Sequence, residues 1–338
     1  MKLNYSFVIP VYNRPQEIKE LLLSMQQLDF PRSFEIVIVE DGSTETAAEV
    51  VQNFEDSLNI TYLTKPNSGP GDSRNYGMKR AKGDYFLILD SDVILPEPYL
   101  TEVDTELTAG FVHCFGGPDA AHESFTAVQK AINFTMTSFL TTGGIRGGQK
   151  RVGSFQPRSF NMGLSREAFE KSGGFGRIHP GEDPDLVLRL WKMGYKTRLF
   201  PDAFVYHKRR IDWKKFYTQV NKFGLVRPVL NQWHPESAKA TYWFPTLFTS
   251  GLFLSIVLMG LGYSLFLFLY LGYFLLIFLD SFRSNRDLKI AVYSVWAALL
   301  QFLGYGLGFC RSTCYIRFFN EPPEKRFPKL FFQHAKKD

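Results

Sequence analysis

Apolar runs and helix-patterned stretches alternate along the first two hundred residues. Short runs that are apolar throughout are typical of strands, and apolar side chains that recur every three or four positions, as between Ile18 and Met25, are typical of a helix. Fully apolar strands joined by helices predict a mostly parallel α/β sheet with helices on both faces. The predicted strands cover residues 5–11, 34–39, 60–63 and 84–89, and the predicted helices begin at Pro15, Thr44 and Gly69.

A different pattern follows in the last third of the chain. The segment Phe244–Leu279 contains no charged side chain over 36 positions. A helix of that length extends ~54 Å, which exceeds the ~30 Å hydrocarbon core of a bilayer. We therefore expect two membrane spans with a turn near Gly260–Ser264; a buried soluble hairpin is the alternative, which the lack of a polar stripe disfavours. A second run, Ile290–Cys310, is long enough for a third span but contains Ser294 and Gln301.

The net charge of +6 and the pI near 9.0 are unevenly distributed. Residues 1–204 hold 21 Lys/Arg and 26 Asp/Glu, a net charge of −5, whereas residues 205–338 hold 18 Lys/Arg and 7 Asp/Glu, a net charge of +11. Because the basic residues flank the apolar runs, the charge indicates a membrane surface rather than a nucleic acid. No signal peptide is recognisable before the first strand, so we expect the N-terminal part on the cytoplasmic face. Three spans would then put the basic tail, 311–338, outside, against the positive-inside tendency, and the sequence leaves this conflict open.

Missing motifs exclude several function classes. There is no GxxxxGK[ST] motif, which excludes a P-loop, and no GxGxxG follows the first strand. The three cysteines form no CxxC pair and are too few for a disulfide scaffold. Apolar residues at 45% and charged residues at 21% exclude a disordered chain.

Polar side chains follow three of the predicted strands at the point where each strand ends. They are Asn13, Asp41 and the pair Asp90 and Asp92. Each alone is explained by a loop with a helix cap, but the carboxyl ends of parallel strands share one edge of a sheet, where ligands bind. Two carboxylates one residue apart are hard oxygen ligands that suit Mg²⁺ or Mn²⁺. Solvated turn aspartates are the alternative for this pair.

The motifs at these positions resemble a known family. The segments Val8–Arg14, Val39–Thr44, Asn67–Gly71 with Arg74 and Asn75, and Leu89–Asp92 have the order and spacing of the family 2 glycosyltransferases, and the resemblance covers about residues 5–227. It implies a Rossmann-like GT-A domain, a nucleotide-sugar donor, a divalent metal ion (Mn²⁺ or Mg²⁺) and inversion at the anomeric carbon.

The same resemblance assigns roles to individual residues. It makes Asp92 the main metal ligand, with Asp90 beside it toward the ribose. It makes Asp41 the acceptor of a hydrogen bond from the base, often uracil. The donor contacts that it implies are Pro10, Tyr12, Asn13, Asp41, Arg74 and Asp90.

The acceptor half of the expected site centres on a second acidic cluster. Glu182 and Asp183 stand at the start of a predicted helix, where acidic residues also cap the helix and complement its dipole. The resemblance puts Glu182 on the acceptor side and makes Asp183 the catalytic base, a role that suits a carboxylate because a sugar hydroxyl is a poor nucleophile. Asp185 is expected to be a cap. His207 is either a structural histidine or a third metal ligand.

Two further segments refine this expectation. Gln219–Phe223 departs from the Gln-x-x-Arg-Trp motif of processive family members at both final positions, which disfavours a polymer synthase with its own pore. Residues 141–154 contain five glycines and predict a mobile loop; the sharper hypothesis is a lid that closes on the substrates.

These expectations define a domain plan and a function. We predict a GT-A catalytic domain over 1–235, with a nucleotide-sugar half at about 1–115 and an acceptor half at about 116–235, a transmembrane region of two to three helices over 240–310, and a basic tail over 311–338. The predicted function is sugar transfer from a nucleotide-diphosphate sugar, above all a UDP-sugar, to a glycan or lipid-linked acceptor in cell-wall or polysaccharide biosynthesis. The alternatives are transfer to a polyprenyl phosphate and a non-catalytic membrane scaffold. No nucleic-acid partner is expected.

Overall fold

The chain divides into two compact units. The computed structural model describes residues 2–120, 122, 124–143, 155–208, 212–319 and 321–332. The first unit comprises Met1–His122, Arg151–Lys208 and Phe331–Asp338, and the second comprises Glu123–Lys150 and Arg209–Leu330. The second unit thus takes in segments from the stretch expected to form one catalytic domain.

A seven-stranded mixed sheet forms the centre of the first unit. The strands are β1 (Tyr5–Val11), β2 (Glu35–Asp41), β3 (Ile60–Lys65), β4 (Tyr85–Leu89), β5 (Val93–Ile94), β6 (Cys114–Gly116), β7 (Asp119–Ala120), β8 (Asn161–Ser165), β9 (Thr197–Leu199) and β10 (Val205–His207). The large sheet has the order β3-β2-β1-β4-β8-β6-β9, and a small sheet has the order β5-β10-β7. The four predicted strands β1 to β4 form one parallel block, whereas β8 is antiparallel to both of its neighbours.

Both faces of the large sheet are buried. Phe7 and Ile9 of β1 belong to one hydrophobic cluster together with Ile38 of β2. Val8 and Val37, from the same two strands, belong to a second cluster. Successive side chains of a strand point to opposite faces, so each face of the sheet has its own core. This confirms the prediction of a sheet that is covered on both sides.

The helices follow the predicted order with one shortened element. The expected helix over 44–54 is reduced to Ala48–Gln52, and the N–H of Ala47, which precedes it, donates to Glu40 Oε2 (2.9 Å). The helices are α1 (Pro15–Gln26), α2 (Ala48–Gln52), α3 (Pro70–Arg80), α4 (Tyr99–Ala109), α5 (Ala127–Thr137), α6 (Phe139–Thr142), α7 (Arg166–Ser172), α8 (Glu182–Lys192), α9 (Trp213–Trp233), α10 (Phe244–Gly260), α11 (Leu265–Asn285), α12 (Leu288–Phe318) and α13 (Pro323–Arg326).

Among the described residues of the second unit, three helices are long and apolar enough to cross a membrane. They are Ala240–Gly260, Leu265–Asn285 and Leu288–Phe318. The first two are separated by a turn at residues 261–264, as predicted. The third extends to Phe318 rather than Cys310, so that Arg311 and Arg317 lie on a helix and not in a tail.

Backbone contact and internal hydrogen bonds hold the second unit together. A Cβ atom on Gly308 of α12 would lie 2.4 Å from the carbonyl oxygen of Asn221 on α9, so only glycine permits this approach. The polar residues that interrupt the third apolar run are paired within the unit: Ser294 Oγ lies 2.8 Å from Ser281 Oγ, and Gln301 Nε2 donates to the Thr141 carbonyl (3.2 Å). Of the predicted loop over 141–154, the first two residues end α6, and residues 144–154 lie outside the described residues.

Candidate active site

The loops after β1 and β2 are joined at the carboxyl edge of the sheet. Asn13 Oδ1 accepts hydrogen bonds from the backbone N–H groups of Thr44 (2.8 Å) and Glu45 (3.0 Å). Pro10 is buried within β1, whereas the Tyr12 side chain is 51% exposed at this edge. An exposed aromatic ring there is free to stack on a ligand.

Asp41 orders the loop that follows β3. Its Oδ1 lies 2.6 Å from Lys65 Nζ and accepts a hydrogen bond from the Ser68 N–H (2.9 Å), and its Oδ2 accepts one from the Gly69 N–H (2.9 Å). The carboxylate is 5% exposed. The sequence analysis missed Lys65, because its pairing with Asp41 follows only from the parallel register of β2 and β3. Contact of Asp41 with a base stays a prediction.

Asp90, Asp92 and His207 bring three potential ligand atoms within 4.8 Å of one another. The antiparallel pairing of β10 with β5 sets His207 opposite Val93 and so beside the two aspartates. His207 Nε2 lies 3.3 Å from Asp92 Oδ1, and its buried Nδ1, which makes no hydrogen bond, lies 3.7 Å from Asp119 Oδ2. Two carboxylates and an imidazole with a carboxylate behind it are a donor set that fits a divalent cation such as Mn²⁺.

Two basic residues, Arg14 and Lys208, contact Asp92, the first through its side chain and the second through its backbone. Arg14, which precedes α1, forms an ion pair with Asp92 through Nη1. Burial disfavours its charge, but Asp92 and the acidic groups nearby raise the pKa of Arg14 above its ordinary value. Lys208 pairs with Glu20, and its backbone N–H donates to the Asp92 carbonyl (2.9 Å). Arg14 therefore places positive charge beside the metal-ligand candidates. In the sequence, Arg14 could have been recognised as a candidate because it follows Asn13 directly.

Arg74 connects the metal-ligand candidates to the acidic start of α8. Its Nη2 lies 2.6 Å from Asp90 Oδ1 and its Nη1 lies 3.0 Å from Glu182 Oε1. The side chain is 3% exposed and its guanidinium lies 5.2 Å from the centre of the Phe175 ring. A buried guanidinium of this kind fixes the two carboxylates relative to each other. Asp90 and Glu182 thus belong to one site.

α8 begins with three acidic side chains, and each has a basic partner of its own. Burial alone would raise the pKa of Glu182, but His179 and Arg74 hold it well below its ordinary value. Asp185 pairs within its own helix, so the helix start is stabilised by side chains as well as by the dipole. The pairs are Glu182 with Arg74 and His179 (3.0 Å each), Asp183 with Arg158 (3.7 Å) and Asp185 with Arg189 (3.0 Å).

The last described residues of the chain lie against this site. Phe331 forms an antiparallel bridge with Ile178, and the Phe332 N–H donates to the Arg177 carbonyl (3.0 Å). The Phe332 ring packs so closely on Gly69 that a Cβ atom there would lie 2.3 Å from it. Phe332 and His179 line a small pocket between these loops. No sequence pattern indicated this contact.

The fold and the site define a class of protein. A largely parallel sheet whose strand ends carry an Asp-x-Asp pair is the arrangement of the GT-A glycosyltransferases. The solved structure of the mannosyltransferase PcManGT from Pyrobaculum calidifontis, in complex with GDP-Man and Mn²⁺, matches this chain with a TM-score of 0.58 over 94% of this chain and 88% of that chain. The sequence identity is 16%, so the likeness shows the fold. Residues 6–173 match the sequence model of Glycosyl transferase family 2, and the chain carries a domain of that family.

The curated relatives are also glycosyltransferases. The probable glycosyltransferase YdaM of Bacillus subtilis is 27% identical over 233 residues, which are 65% of this chain and 54% of that protein. The poly-beta-1,6-N-acetyl-D-glucosamine synthase of Staphylococcus epidermidis is 23% identical over 256 residues, 75% of this chain and 60% of that protein. The poly(ribitol-phosphate) beta-N-acetylglucosaminyltransferase TarS of Staphylococcus aureus is 38% identical over 93 residues, 27% of this chain and 16% of that protein. The match therefore spans at most 60% of the length of these three relatives.

Proposed function

We propose that this chain is an inverting glycosyltransferase that transfers a sugar from a nucleotide-diphosphate sugar to a hydroxyl acceptor. The observation that carries the proposal is the double ion pair of Arg74. Through it, the metal-ligand candidate Asp90 and the acidic start of α8 at Glu182 stand on either side of one buried guanidinium. A donor half and an acceptor half held in this way are what a direct transfer between two substrates needs.

On the donor side, the nucleoside lies along the edge formed by the ends of β1 and β2. The exposed Tyr12 ring supplies a stacking surface for the base. A divalent ion held by Asp90, Asp92 and His207 would neutralise negative charge on the diphosphate leaving group. Arg14 adds positive charge at the same place. The residues assigned to the donor are Pro10, Tyr12, Asn13, Asp41, Arg74 and Asp90.

On the acceptor side, Asp183 acts as the general base. The acceptor hydroxyl oxygen forms a bond to the anomeric carbon on the face opposite the diphosphate, and its proton moves to an Oδ atom of Asp183. The bond between the anomeric carbon and the diphosphate oxygen breaks, and its electron pair leaves with the nucleoside diphosphate. One displacement of this kind inverts the anomeric configuration, and no covalent enzyme intermediate forms. Glu182, tied to Arg74 and His179, lines the acceptor side.

The sugar and the acceptor are proposed from the relatives and from the second unit. Two of the relatives are named for N-acetylglucosamine transfer or polymerisation, which favours UDP-N-acetylglucosamine as donor. Three helices long and apolar enough to span a membrane favour a lipid-linked or cell-surface glycan precursor as acceptor. Nucleotide sugars are made in the cytoplasm and are too highly charged to cross a bilayer unaided, so we assign the first unit to the cytoplasmic face.

A panel of nucleotide sugars tests the proposal. The purified full chain in detergent is mixed with UDP- and GDP-sugars in the presence of Mn²⁺ or Mg²⁺, and thermal stability and sugar release are measured. We expect stabilisation by UDP-N-acetylglucosamine and metal-dependent turnover. Asp183→Asn should lower transfer by about 10²- to 10⁴-fold, the usual contribution of a general base, while donor stabilisation is kept. If no nucleotide sugar stabilises the chain or is turned over, the scaffold alternative replaces the enzyme.

The apolar helices also favour a second acceptor class, a polyprenyl phosphate. A phosphate is already ionised near neutral pH and needs no base. Under this alternative Asp183→Asn would keep nearly full activity with polyprenyl phosphate. The same variant therefore separates the two acceptor classes.

A further inference from the structure

Three negatively charged side chains lie within one turn at the start of α8, and the distances to their basic partners differ. Arg74 and Arg189 approach Glu182 and Asp185 to 3.0 Å, the distance of a charge-assisted hydrogen bond. Arg158 Nη1 stays 3.7 Å from Asp183 Oδ2, which is longer than a hydrogen bond but close enough for strong charge attraction. Asp183 thus has the loosest of these three arginine pairs.

Backbone contacts fix the position of Arg158. Its carbonyl oxygen accepts a hydrogen bond from the Asn161 N–H (3.0 Å), and the two residues form an isolated bridge at the entry to β8. Three residues earlier, the Phe155 carbonyl accepts a hydrogen bond from Thr197 Oγ1 (2.5 Å). The Arg158 side chain is 17% exposed and that of Asp183 is 15% exposed. The sheet therefore fixes the backbone of Arg158, and its largely buried side chain places the guanidinium 3.7 Å from the Asp183 carboxylate.

The charges around Asp183 explain what such a partner does. Glu182 and Asp185 are like charges, and like charges favour the protonated form of a carboxyl group. Their own partners, Arg74 and His179 for Glu182 and Arg189 for Asp185, offset these two charges. Arg158 is a cation that pairs with Asp183 itself, and the helix N-terminus acts in the same direction.

We propose that Arg158 is a positioning residue for the base: it keeps the Asp183 carboxylate ionised and oriented without binding it tightly, so that the carboxylate can take a proton from the acceptor. The inference rests on the proposed function, in which Asp183 is the base. During transfer the acceptor proton moves to Asp183, and after product release it leaves to water. Arg158 favours that return to the ionised form.

The first test measures the protonation of Asp183 directly and needs no substrate. A carbodiimide with glycine ethyl ester labels protonated carboxyl groups in the purified full chain, and tandem mass spectrometry resolves the label on residue 183 as a function of pH. We expect Arg158→Gln to raise the labelling midpoint of Asp183 by about one pH unit or more, since a nearby arginine lowers a carboxyl pKa by about 1–3 units. Arg158→Lys should restore most of the difference.

Matched controls separate this effect from a loss of structure. Arg198→Gln also removes a guanidinium from an ion pair in the first unit, with Glu106 at 3.0 Å, and should leave the Asp183 midpoint unchanged. Arg158→Met keeps the aliphatic stem without the charge and serves as a second neutral variant if Arg158→Gln does not fold. An unchanged midpoint in the neutral Arg158 variants, or an equal shift in Arg198→Gln, overturns the inference.

The second test distinguishes failure of this inference from failure of the proposed function. With the donor found in the panel, the acidic limb of the kcat/KM profile should move to higher pH in Arg158→Gln by the same amount as the labelling midpoint, while donor affinity stays the same. If Asp183→Asn retains full transfer, the proposed base is wrong. If Asp183→Asn is inactive and Arg158→Gln leaves both profiles in place, only the role of Arg158 is wrong.

Discussion

Asp92 contacts three basic residues of the site. Its carboxylate pairs with Arg14 and lies 3.3 Å from His207 Nε2, and its carbonyl accepts the Lys208 N–H. Asp92→Asn removes the negative charge that a divalent ion needs. We expect the Mn²⁺ concentration that stabilises the chain against heat to rise by at least the ~10- to 100-fold seen when a supporting residue of a metal site is lost.

The control for Asp92 is an aspartate with no part in the site. Asp56 is exposed, and Asp56→Asn makes the same chemical change there. It should leave the Mn²⁺ dependence of the melting temperature unaltered. Equal Mn²⁺ responses of Asp92→Asn and the unchanged chain would mean that the metal binds elsewhere.

Glu182 predicts how stability depends on pH. Its pKa in the folded chain lies below the ordinary value of 4.5, because His179 and Arg74 outweigh the effect of burial. The ionised form therefore stabilises the fold at pH values above 4.5, and this stabilisation is lost as the pH falls below 4.5 toward the lowered pKa. Glu182→Gln removes one of the two anionic partners of Arg74, and the loss of a hydrogen bond to a charged group costs about 1.5–3 kcal/mol at neutral pH.

The difference in unfolding free energy between Glu182→Gln and the unchanged chain should accordingly be largest at pH 7 and shrink at pH 4 and below. Chemical denaturation in detergent at both pH values measures it. Glu167→Gln, which removes an exposed carboxylate from the pair with Lys171, should change little at either pH. A difference for Glu182→Gln that stays constant with pH would mean that its ionisation does not contribute to the fold.

At the scale of elements, the loop before α3 packs against the C-terminal segment, residues 331–332. Gly69 has a φ of +94° and lies under the Phe332 ring, whereas Gly173, at the end of α7, has a φ of +74° and no neighbour within 4 Å of a built Cβ. Alanine at Gly173 brings backbone strain of about 1–3 kcal/mol. Gly69, with a ψ of 162°, has a backbone conformation that essentially only glycine adopts, and alanine there displaces Phe332 as well, so Gly69→Ala should lower the unfolding free energy more.

Adding Phe332→Ala separates the two contributions at Gly69. The double variant Gly69→Ala/Phe332→Ala should be less destabilised than the sum of its two single variants, because the clash is removed. Thermal unfolding of the four chains measures this coupling. Strict additivity would show that the segment 331–332 does not pack on this loop.

The sequence pattern predicts some elements well and others not at all, for physical reasons. β1 spans Tyr5–Val11 as predicted, because a short apolar run is typical of a strand, and the turn between α10 and α11 lies where it was expected, because long apolar runs flank it. β8 was not predicted, since the short segment Asn161–Ser165 owes its strand form to antiparallel partners on both sides.

The candidate site shows the same division. Asp90 and Asp92 follow a strand, so their place at the sheet edge could be predicted. Arg158 lies 25 positions before Asp183 in the sequence, and no local pattern links the two residues. His207 lies beside the two aspartates because β10 pairs with β5. These strands have three and two residues, which is too short for a periodic pattern to show in the sequence.

At the scale of the whole chain, the C-terminal contact bears on the number of membrane crossings. Phe331 and Phe332 are bound to Ile178 and Arg177 of the first unit, so they lie on the same side of a membrane as that unit. If the second unit spans a membrane with this contact in place, we expect the chain between residues 208 and 331 to cross it an even number of times. We therefore expect one of the three candidate spans not to cross.

From the burial of the three helices we expect the first two to cross. The apolar windows of the first and second are 17% and 11% buried within the protein, whereas that of α12 is 44% buried. α12 lies in backbone contact with α9 at Gly304 and Gly308. If α10 and α11 cross as a hairpin and α12 does not cross, Arg311 and Arg317 stay on the same side of the membrane as the first unit. That side is the cytoplasmic one in our proposal, and it is the side that basic residues favour.

Single cysteines report the side of each connection. In a chain whose native cysteines are replaced, Gly262→Cys marks the turn after α10, Arg286→Cys the turn after α11, Lys329→Cys the segment after α12, and Asp56→Cys the first unit. With a maleimide that does not cross the membrane, two crossings predict that residues 286 and 329 react from the same side as residue 56, and residue 262 from the other. In the described chain, α12 is the only long helix between residues 286 and 329. Labelling of these two positions from opposite sides would therefore mean that α12 crosses. It would also mean that the contact of Phe332 with Gly69 does not form in the membrane-bound protein.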